Sequence, residues 1–207
     1  LLALCEEHRL PLVEDGFEEE MKYFGKVSLP IKSMDRHGVV IYLGTFSKVL
    51  FPGVRVGWII AERECIRRLM AIKRFTDISS SGPVQAALHE FCRQEHFDLH
   101  IRRMHRVFRR RMQVALEAMR EHLPARRVAW SKPTGGYLIW VRFRAGVDED
   151  RFHRLCAEHR LSVAPGGYFF PEANPDVYFR ISISMLDEAE IRAGIEQLGR
   201  ALRALGK

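Results

Sequence analysis

The chain has 207 residues, a formal charge of +7 and a 47% share of hydrophobic residues. That share is enough to bury a core, which argues against disorder, and no apolar run approaches the roughly 20 residues that span a bilayer. The charged residues at positions 6–9 (EEHR) are unlike a signal peptide. The cysteines lie far apart and match no metal-ligand spacing, so we expect no metal site and reduced thiols in the cytoplasm.

Strands and helices alternate along the first half of the chain. The predicted elements are helices at 1–8, 63–75 and 84–93 and strands at 10–13, 39–43 and 54–61. The apolar run at 39–43 is typical of a sheet covered on both faces. In the helix at 63–75, the residues expected to face inward are Cys65, Ile66, Leu69, Met70 and Ile72. No capping residue precedes the first helix, so we expect the chain to be a C-terminal portion of a longer protein.

A long predicted helix at 97–122 carries much of the positive charge, on Arg102, Arg103, Arg106, Arg109, Arg110 and Arg111. Two interpretations stay open, because the arginines are either a nucleic-acid surface or a solvated helix face. Apolar residues recur at helical spacing from Phe97 to Met119, and no DNA-binding motif accompanies the charge. These two observations favour the solvated face.

The second half contains shorter strands. Its predicted elements are strands at 128–130, 137–143, 162–164 and 178–184 and a helix at 148–159. Asp148 is expected to cap that helix, and Asp187 to cap a final helix with an apolar face from Ile191 to Leu205. Interleaved strands and helices favour α/β packing. We place a domain boundary inside the long helix, near residue 105.

The most informative segment combines a lysine with hydroxyl groups and an arginine. Residues 41–48 (IYLGTFSK) predict a buried strand and a turn, with Lys48 just past the end of the strand. Burying a lysine there costs free energy unless its amine has a function. One such function is to form an imine with an aldehyde, which needs the neutral amine. The competing interpretation is an exposed lysine in an ordinary turn.

Groups that suit a phosphate surround Lys48 in the sequence. Thr45 and Ser47 offer hydroxyl donors, and Arg55 can hold a phosphate by two parallel hydrogen bonds. Taken singly, each has a plain interpretation, since the hydroxyls can simply form the turn and the arginine can make a surface ion pair. Their spacing around one lysine favours a site for pyridoxal 5′-phosphate (PLP), which needs an imine-forming lysine beside a phosphate site.

Two further charged residues lie on predicted strands. Asp15 follows the strand at 10–13, where a carboxylate can pair with the protonated pyridine nitrogen of PLP; the alternative is a turn aspartate. Arg180 lies inside the strand at 178–184, and a buried arginine needs an anion such as a substrate carboxylate. The alternative for Arg180 is an edge strand with its side chain facing water.

Taken in order, these residues resemble the fold-type I PLP enzymes, in particular the class I/II aminotransferase superfamily. The matching motifs cover the whole chain and are 14–15 (ED), 44–48 (GTFSK), 52–57 (PGVRVG), 133–137 (PTGGY) and 179–182 (FRIS). The sequence at 42–53 and at 100–104 (HIRRM) is most similar to the aminotransferase-like domain of MocR-type regulators of the GntR superfamily. Free-standing aminoadipate-type transaminases are close behind.

The resemblance implies a fold, a cofactor and a set of roles. The chain would comprise the C-terminal part of the PLP-binding large domain, residues 1–105, and an α+β C-terminal small domain, residues 106–207. Lys48 would form the internal aldimine with PLP and shuttle the substrate Cα proton. The implied cofactor-binding residues are Asp15, Phe17, Thr45, Ser47, Lys48 and Arg55, and the implied substrate-binding residue is Arg180.

The sequence departs from the family at two points. Phe17 stands where relatives usually carry a tyrosine whose hydroxyl meets the phenolic oxygen of the cofactor, and phenylalanine cannot make that hydrogen bond. The N-terminal half of the family, which supplies a phosphate loop and the ring stacked on the cofactor, is expected to lie outside this sequence.

Three functions therefore stay open. The first is an aminotransferase acting on an amino acid and a 2-oxo acid, and the second is a ligand sensor in a transcriptional regulator. The third is a truncated, PLP-incompetent effector or dimerisation fragment of such a regulator. The resemblance implies a cytoplasmic homodimer that contacts no membrane, and DNA only through a winged-helix domain outside this chain.

Overall fold

The structure is a computed structural model that describes residues 1–26, 28–77, 79–144, 149–172 and 174–205. The chain forms two compact units, Leu1–Met104 and His105–Lys207. The division falls inside the helix α4 (His96–His122).

A three-stranded sheet in the order β1-β2-β3 forms the centre of the first unit. Its strand β1 (Leu12–Asp15) runs parallel to β2 (Val40–Thr45), which in turn runs antiparallel to β3 (Gly57–Ile60). The helices of this unit are α1 (Leu2–Glu7), α2 (Arg63–Thr76), α3 (Gly82–Arg93) and the first part of α4. The predicted elements are thus confirmed, with two differences. The first strand lies two residues later than expected, and β3 is shorter, because Pro52–Val54 forms a 3₁₀ turn and Arg55 is left-handed.

The loop that enters β2 is held by a buried carboxylate. Asp35 accepts hydrogen bonds from the backbone N–H groups of Gly38 at 2.8 Å and Val40 at 3.0 Å. Its Oδ2 also lies 2.9 Å from Nζ of Lys32, and its side chain is removed from solvent. Burial alone would raise the pKa of Asp35, but the bond from Lys32 and the backbone N–H groups outweigh it and hold that pKa well below its ordinary value.

Helix α2 forms as predicted but does not bury its apolar face. It begins after Glu62, whose carboxylate accepts from the N–H of Glu64 at 2.7 Å, and no described residue of α2 is buried. Cys65, Ile66 and Leu69 are half-buried, whereas Met70 is 54% and Ile72 is 62% exposed, so the expectation that they face inward is wrong for the last two. The physical reason is that no element within the described ranges covers this side of the helix.

The second unit is built on an antiparallel sheet in the order β4-β5-β7-β6. Its strands are β4 (Val128–Trp130), β5 (Leu138–Phe143), β6 (Ala164–Pro165) and β7 (Val177–Ser182), and its helices are α5 (Glu149–Glu158) and α6 (Glu188–Ala204). One face of the sheet is buried, and Phe179 of β7 packs at 4.8 Å between ring centres on Phe152 of α5. Antiparallel strands with packed helices give this unit an α+β character.

Capping of the helices follows the sequence where it is described. Asp187 accepts from the N–H of Glu190 at 2.8 Å while the Glu190 carboxylate accepts from the N–H of Asp187, which is a capping box. The apolar face of α6, from Ile191 to Leu205, is buried as predicted. Asp148, the expected cap of α5, lies outside the described residues.

The charge on α4 is arranged around an apolar stripe. Phe108, Met112 and Met119 are buried, and the arginines at 102, 103, 106, 109 and 110 are exposed, as the solvated-face interpretation expects. Arg111 differs, because it is half-buried and donates to the carbonyl oxygen of Ser184 at 2.7 Å. Across the described ranges, every helix is too short or too polar to cross a bilayer.

Candidate functional site

Three of the predicted charged residues lie at one edge of the first unit's sheet. Asp15 ends β1 as the register partner of Leu43, and Thr45 ends β2 as the partner of Gly57. Because β1 and β2 are parallel, their carboxyl ends share an edge, and the antiparallel β3 begins at that same edge. Lys48 and Arg55 lie in the connection from β2 to β3. The topology therefore places Asp15 on one side of β2 and Arg55 on the other.

Lys48 lies in a tight turn directly after β2. The N–H of Leu50 donates to the carbonyl oxygen of Phe46 at 2.9 Å and closes the turn. The turn buries Val49 completely and leaves Lys48 exposed, so the expected shelter of the lysine is wrong in this chain. Within the described ranges the Lys48 ammonium makes no ion pair or hydrogen bond.

The two hydroxyl residues beside Lys48 are half-buried. Thr45 Oγ1 accepts a hydrogen bond from the N–H of Ser47 at 3.1 Å, so Thr45 does take part in forming the turn. An accepting hydroxyl keeps its own hydrogen, which stays able to donate to an anion. Turn formation and phosphate binding are therefore compatible at Thr45.

Arg55 is exposed and has an unusual backbone conformation. Its φ of 50° and ψ of 34° lie in the left-handed region, which is uncommon for a residue with a side chain and costs about 1–2 kcal/mol. Its Nη1 lies 3.4 Å from the carbonyl oxygen of Pro52, and no described carboxylate pairs with it. The alternative of a surface ion pair is therefore wrong for the part of the chain that the structure describes.

Asp15 and its neighbour Glu14 point to opposite sides of β1, as alternating strand residues do. The Glu14 carboxylate accepts from the N–H groups of Ile31 at 2.7 Å and Lys32 at 2.8 Å, so it holds a loop. The Asp15 carboxylate is exposed and has no such partner among the described residues. Phe17, two residues later, is 37% exposed, and a cavity of about 290 Å³ opens beside both residues.

Arg180 lies in the second unit, in the middle of β7. Its register partners are Trp140 on β5 and Ala164 on β6, so β7 is an internal strand and the edge-strand interpretation is wrong. The side chain is half-buried, and its guanidinium carbon lies 5.4 Å from the centre of the Phe169 ring. No described carboxylate pairs with it, so a half-buried positive charge is left without a counter-ion.

Sequence reasoning missed the residues that support the Lys48 turn. Phe46 packs against Trp58 at 5.0 Å and edge-on against Phe97 at 5.6 Å between ring centres. Gly44 is the register partner of Trp58, and a Cβ at position 44 would overlap the indole ring. His100 reaches the carbonyl oxygen of Val49. Phe97 and His100 lie three residues apart, which puts both on one helix face, but this spacing does not predict what the face contacts.

The family described as aminotransferase class I and II matches residues 1–198 of the chain. The chain belongs to this family. The resemblance drawn from the motifs is therefore confirmed, and with it the fold-type I α/β architecture and PLP as the cofactor of the family.

Individual relatives include both enzymes and regulators. The chain is 34% identical over 209 residues to a 2-aminoadipate transaminase of Thermus thermophilus, covering 99% of this chain and 52% of that protein. It is 32% identical over 205 residues to the HTH-type transcriptional regulator TauR of Rhodobacter capsulatus, covering 98% and 42%. The chain thus spans about half the length of these curated relatives.

A solved structure shares the fold closely. The α-aminoadipate aminotransferase of Thermus thermophilus, solved with N-(5′-phosphopyridoxyl)-L-leucine, superposes with a TM-score of 0.91 at 31% identity. The match covers 99% of this chain and 53% of the other.

Proposed function

We propose that this protein binds PLP through Lys48 and an amino acid through Arg180, and that it transfers the amino group to a 2-oxo acid. The observation that carries the proposal is the edge of the first sheet, where Asp15, Lys48 and Arg55 have no opposite charge from the described residues. The carboxyl ends of strands in open α/β sheets are where ligands bind, and a ligand would supply the missing partners.

The charges at this edge fit PLP group by group. The Lys48 amine suits an aldehyde, the Arg55 guanidinium suits a phosphate, and the Asp15 carboxylate suits a protonated pyridine nitrogen. Asp15 ends β1 on one side of β2, and Arg55 precedes β3 on the other side. In this proposal the aromatic ring of PLP lies between them, across the end of β2.

Each residue has a defined task in this proposal. When bound, PLP supplies an electron sink for the bonds at the amino acid Cα. Lys48 would hold the cofactor through Nζ when no amino acid is bound, and the amine, once released from the cofactor, would remove and return the Cα proton. Asp15 keeps the pyridine nitrogen protonated, and Arg55 donates two parallel hydrogen bonds to the phosphate, aided by the hydroxyls of Thr45 and Ser47. Phe17 contacts the cofactor without a hydrogen bond.

Arg180 is proposed to bind the carboxylate of the amino acid. Support comes from its half-buried position in β7 and from the absence of a described counter-ion. A planar guanidinium can bind a carboxylate by two hydrogen bonds, which fixes orientation as well as affinity.

A second candidate function is ligand sensing, and the match to TauR favours it. A sensor would use the same residues to bind an amino acid and would pass the signal to DNA through a winged-helix domain outside this chain. For either function we expect a cytoplasmic homodimer, as the family resemblance implies.

Trapping the Lys48 attachment tests the proposal. We expect full-length protein incubated with PLP and reduced with borohydride to carry the cofactor on the peptide that contains Lys48, by mass spectrometry. Lys48→Ala should lose this adduct and keep its circular dichroism and Tm, because the side chain is exposed. Lys26→Ala is the matched control, since Lys26 is also exposed. An adduct that persists in Lys48→Ala would refute the assignment.

Product analysis separates the candidate functions. Release of a 2-oxo acid from 2-aminoadipate or another amino acid would support the enzyme. A spectral change on adding the amino acid without product, together with altered DNA binding, would support the sensor. A protein that neither absorbs in the visible range nor forms an adduct would be the PLP-incompetent fragment.

A further inference from the structure

The turn that carries Lys48 is tied to helix α4 by a hydrogen bond. Nε2 of His100 lies 2.7 Å from the carbonyl oxygen of Val49, the residue that follows Lys48. The contact joins positions 51 residues apart, and both residues belong to the first unit. It therefore fixes the turn to a distant helix rather than to its own flanks.

The chemistry of the two atoms determines that Nε2 of the imidazole carries a hydrogen. A carbonyl oxygen can only accept, so Nε2 of His100 must carry the hydrogen. The distance is at the short end of the normal range for N–H···O bonds, and the contact is partly buried. Val49 itself is fully buried, so its carbonyl oxygen is held by a residue that has little freedom to move.

A second contact from the same helix reaches the other side of Lys48. Phe97, one turn before His100, packs edge-on against Phe46 at 5.6 Å between ring centres. The turn is thus held at Phe46, two residues before Lys48, and at Val49, one residue after it. Of these two contacts, the bond from His100 is the one that acts on the backbone beside the lysine.

We propose that His100 is a positioning residue that fixes the backbone of Lys48 through the carbonyl oxygen of Val49. The inference rests on the proposed function, because it takes Lys48 as the residue that attaches PLP. An exposed lysine side chain has many rotamers, so a rigid backbone is what sets the starting point of its amine. Misplacement of a reacting group by about 1 Å costs roughly 100-fold in rate, and so the tie affects how fast Lys48 reacts.

Two variants separate the hydrogen bond from the packing of the ring. His100→Phe keeps a ring of similar size and removes the donor, whereas His100→Gln keeps an N–H donor at similar reach. His96→Gln is the matched control, because it makes the same chemical change on the same helix at an exposed position. All are compared with the wild type as full-length protein.

The decisive measurement compares covalent attachment with simple binding. Attachment forms a carbon–nitrogen bond between Lys48 and the aldehyde of PLP and releases water, and its rate is followed by borohydride trapping. Binding without attachment is measured with 4-deoxypyridoxine 5′-phosphate, which has no aldehyde. We expect His100→Phe to slow attachment about tenfold, the effect of losing one hydrogen bond, and to leave the analogue affinity unchanged. His100→Gln should restore the rate, and His96→Gln should match the wild type.

Each other outcome overturns the inference. An unchanged attachment rate in folded His100→Phe, an equal loss in rate and analogue affinity, or failure of His100→Gln to restore the rate would assign His100 a merely structural role or none. If the wild type attaches no PLP at Lys48, the proposed function itself fails. Should His100→Phe not fold, ¹⁵N spectra of the wild type decide, since a neutral ring with its hydrogen on Nδ1 would exclude the bond.

Discussion

The guanidinium carbon of Arg180 lies 5.4 Å from the centre of the Phe169 ring. Phe169 ends the short 3₁₀ turn Gly167–Phe169, and its ring also packs edge-on against Trp140 at 5.5 Å. A cation over an aromatic face is attracted by the ring quadrupole, and the N–H groups at the guanidinium edge stay free for an anion. Phe169 therefore orients the Arg180 guanidinium, the group that is proposed to bind the amino acid carboxylate.

Replacing Phe169 by leucine should weaken amino acid binding without affecting PLP. The lost cation–π contact is worth about 0.5–1 kcal/mol at an exposed site, which predicts a roughly two- to fivefold rise in the Kd of the amino acid. Tyr168→Leu is the matched control, because Tyr168 is 87% exposed and adjacent. Titration of PLP-loaded protein with the amino acid measures the effect, and an equal change in both variants would contradict the prediction.

Removal of the Arg180 charge should have a larger effect on the same measurement. Arg180→Ala loses charged hydrogen bonds worth about 1.5–3 kcal/mol, so the Kd of the amino acid should rise roughly 10- to 100-fold. The Kd of PLP should change little. Equal losses in amino acid and PLP affinity would remove Arg180 from its proposed role.

At Arg55, function and stability should separate. Arg55→Ala and Arg55→Gly both remove the phosphate partner, so each should raise the Kd of PLP roughly 10- to 100-fold. Glycine adopts the left-handed conformation without strain, so Arg55→Gly should be about 1 kcal/mol more stable to unfolding than Arg55→Ala. Arg63→Ala, at an exposed arginine of α2, should leave PLP affinity unchanged. A PLP affinity of Arg55→Ala equal to that of the wild type would refute the phosphate site.

Phe17→Tyr tests the departure from the family pattern. A tyrosine hydroxyl that donates to the phenolic oxygen of bound PLP would stabilise its ionised form. The pH midpoint of the visible absorption band should therefore fall by about one unit, as expected for one charged hydrogen bond. Phe75→Tyr serves as the control because Phe75 is 94% exposed on α2. An unchanged midpoint would place position 17 away from the cofactor.

The Lys32–Asp35 pair should make the first unit sensitive to acid. The folded pKa of Asp35 lies below its unfolded value of about 3.9, so the carboxylate stabilises the fold above about pH 4. This stabilisation should be lost progressively as the pH falls through the lower, folded pKa. Asp35→Ala should lower the free energy of unfolding by about 3–5 kcal/mol at neutral pH. The variant should also lack the part of the acid-induced loss of stability that comes from protonating Asp35.

Denaturant unfolding at neutral pH and at pH values below 4 measures that effect. Asp77→Asn is the control, since Asp77 makes an exposed pair with Lys73 and should change stability by less than about 1 kcal/mol. A similar cost at Asp35 and Asp77 would show that burial adds nothing to the Lys32 pair.

Local sequence patterns predict much of the fold. The spacing of apolar residues gave α4 and α6 almost to the residue, and the cap at Asp187 came from its residue type. The exposure of Met70 and Ile72 could not be predicted in this way, because a helix pattern states which face is apolar and not what covers it.

In the site too, some features follow from local sequence and others depend on tertiary packing. Spacing along the chain groups four of the site residues, since Thr45 ends β2 and Ser47, Lys48 and Arg55 lie in the connection that follows it. The contact of His100 with Val49 depends on how α4 returns to the sheet, which is a tertiary property. The exposure of Lys48 could not be predicted from the sequence either, because the geometry of the turn from Phe46 to Leu50 decides whether residue 48 or residue 49 is buried.

The close approach of Trp58 to Gly44 links two positions across neighbouring strands. Any side chain at position 44 would displace the indole, and with it the support that Trp58 gives to Phe46. Substitutions in homologous sequences should consequently be correlated at these two sites, with a larger residue at 44 appearing only beside a smaller one at 58. A double variant with a larger residue at 44 and a smaller one at 58 should therefore be more stable to unfolding than the variant with the change at 44 alone.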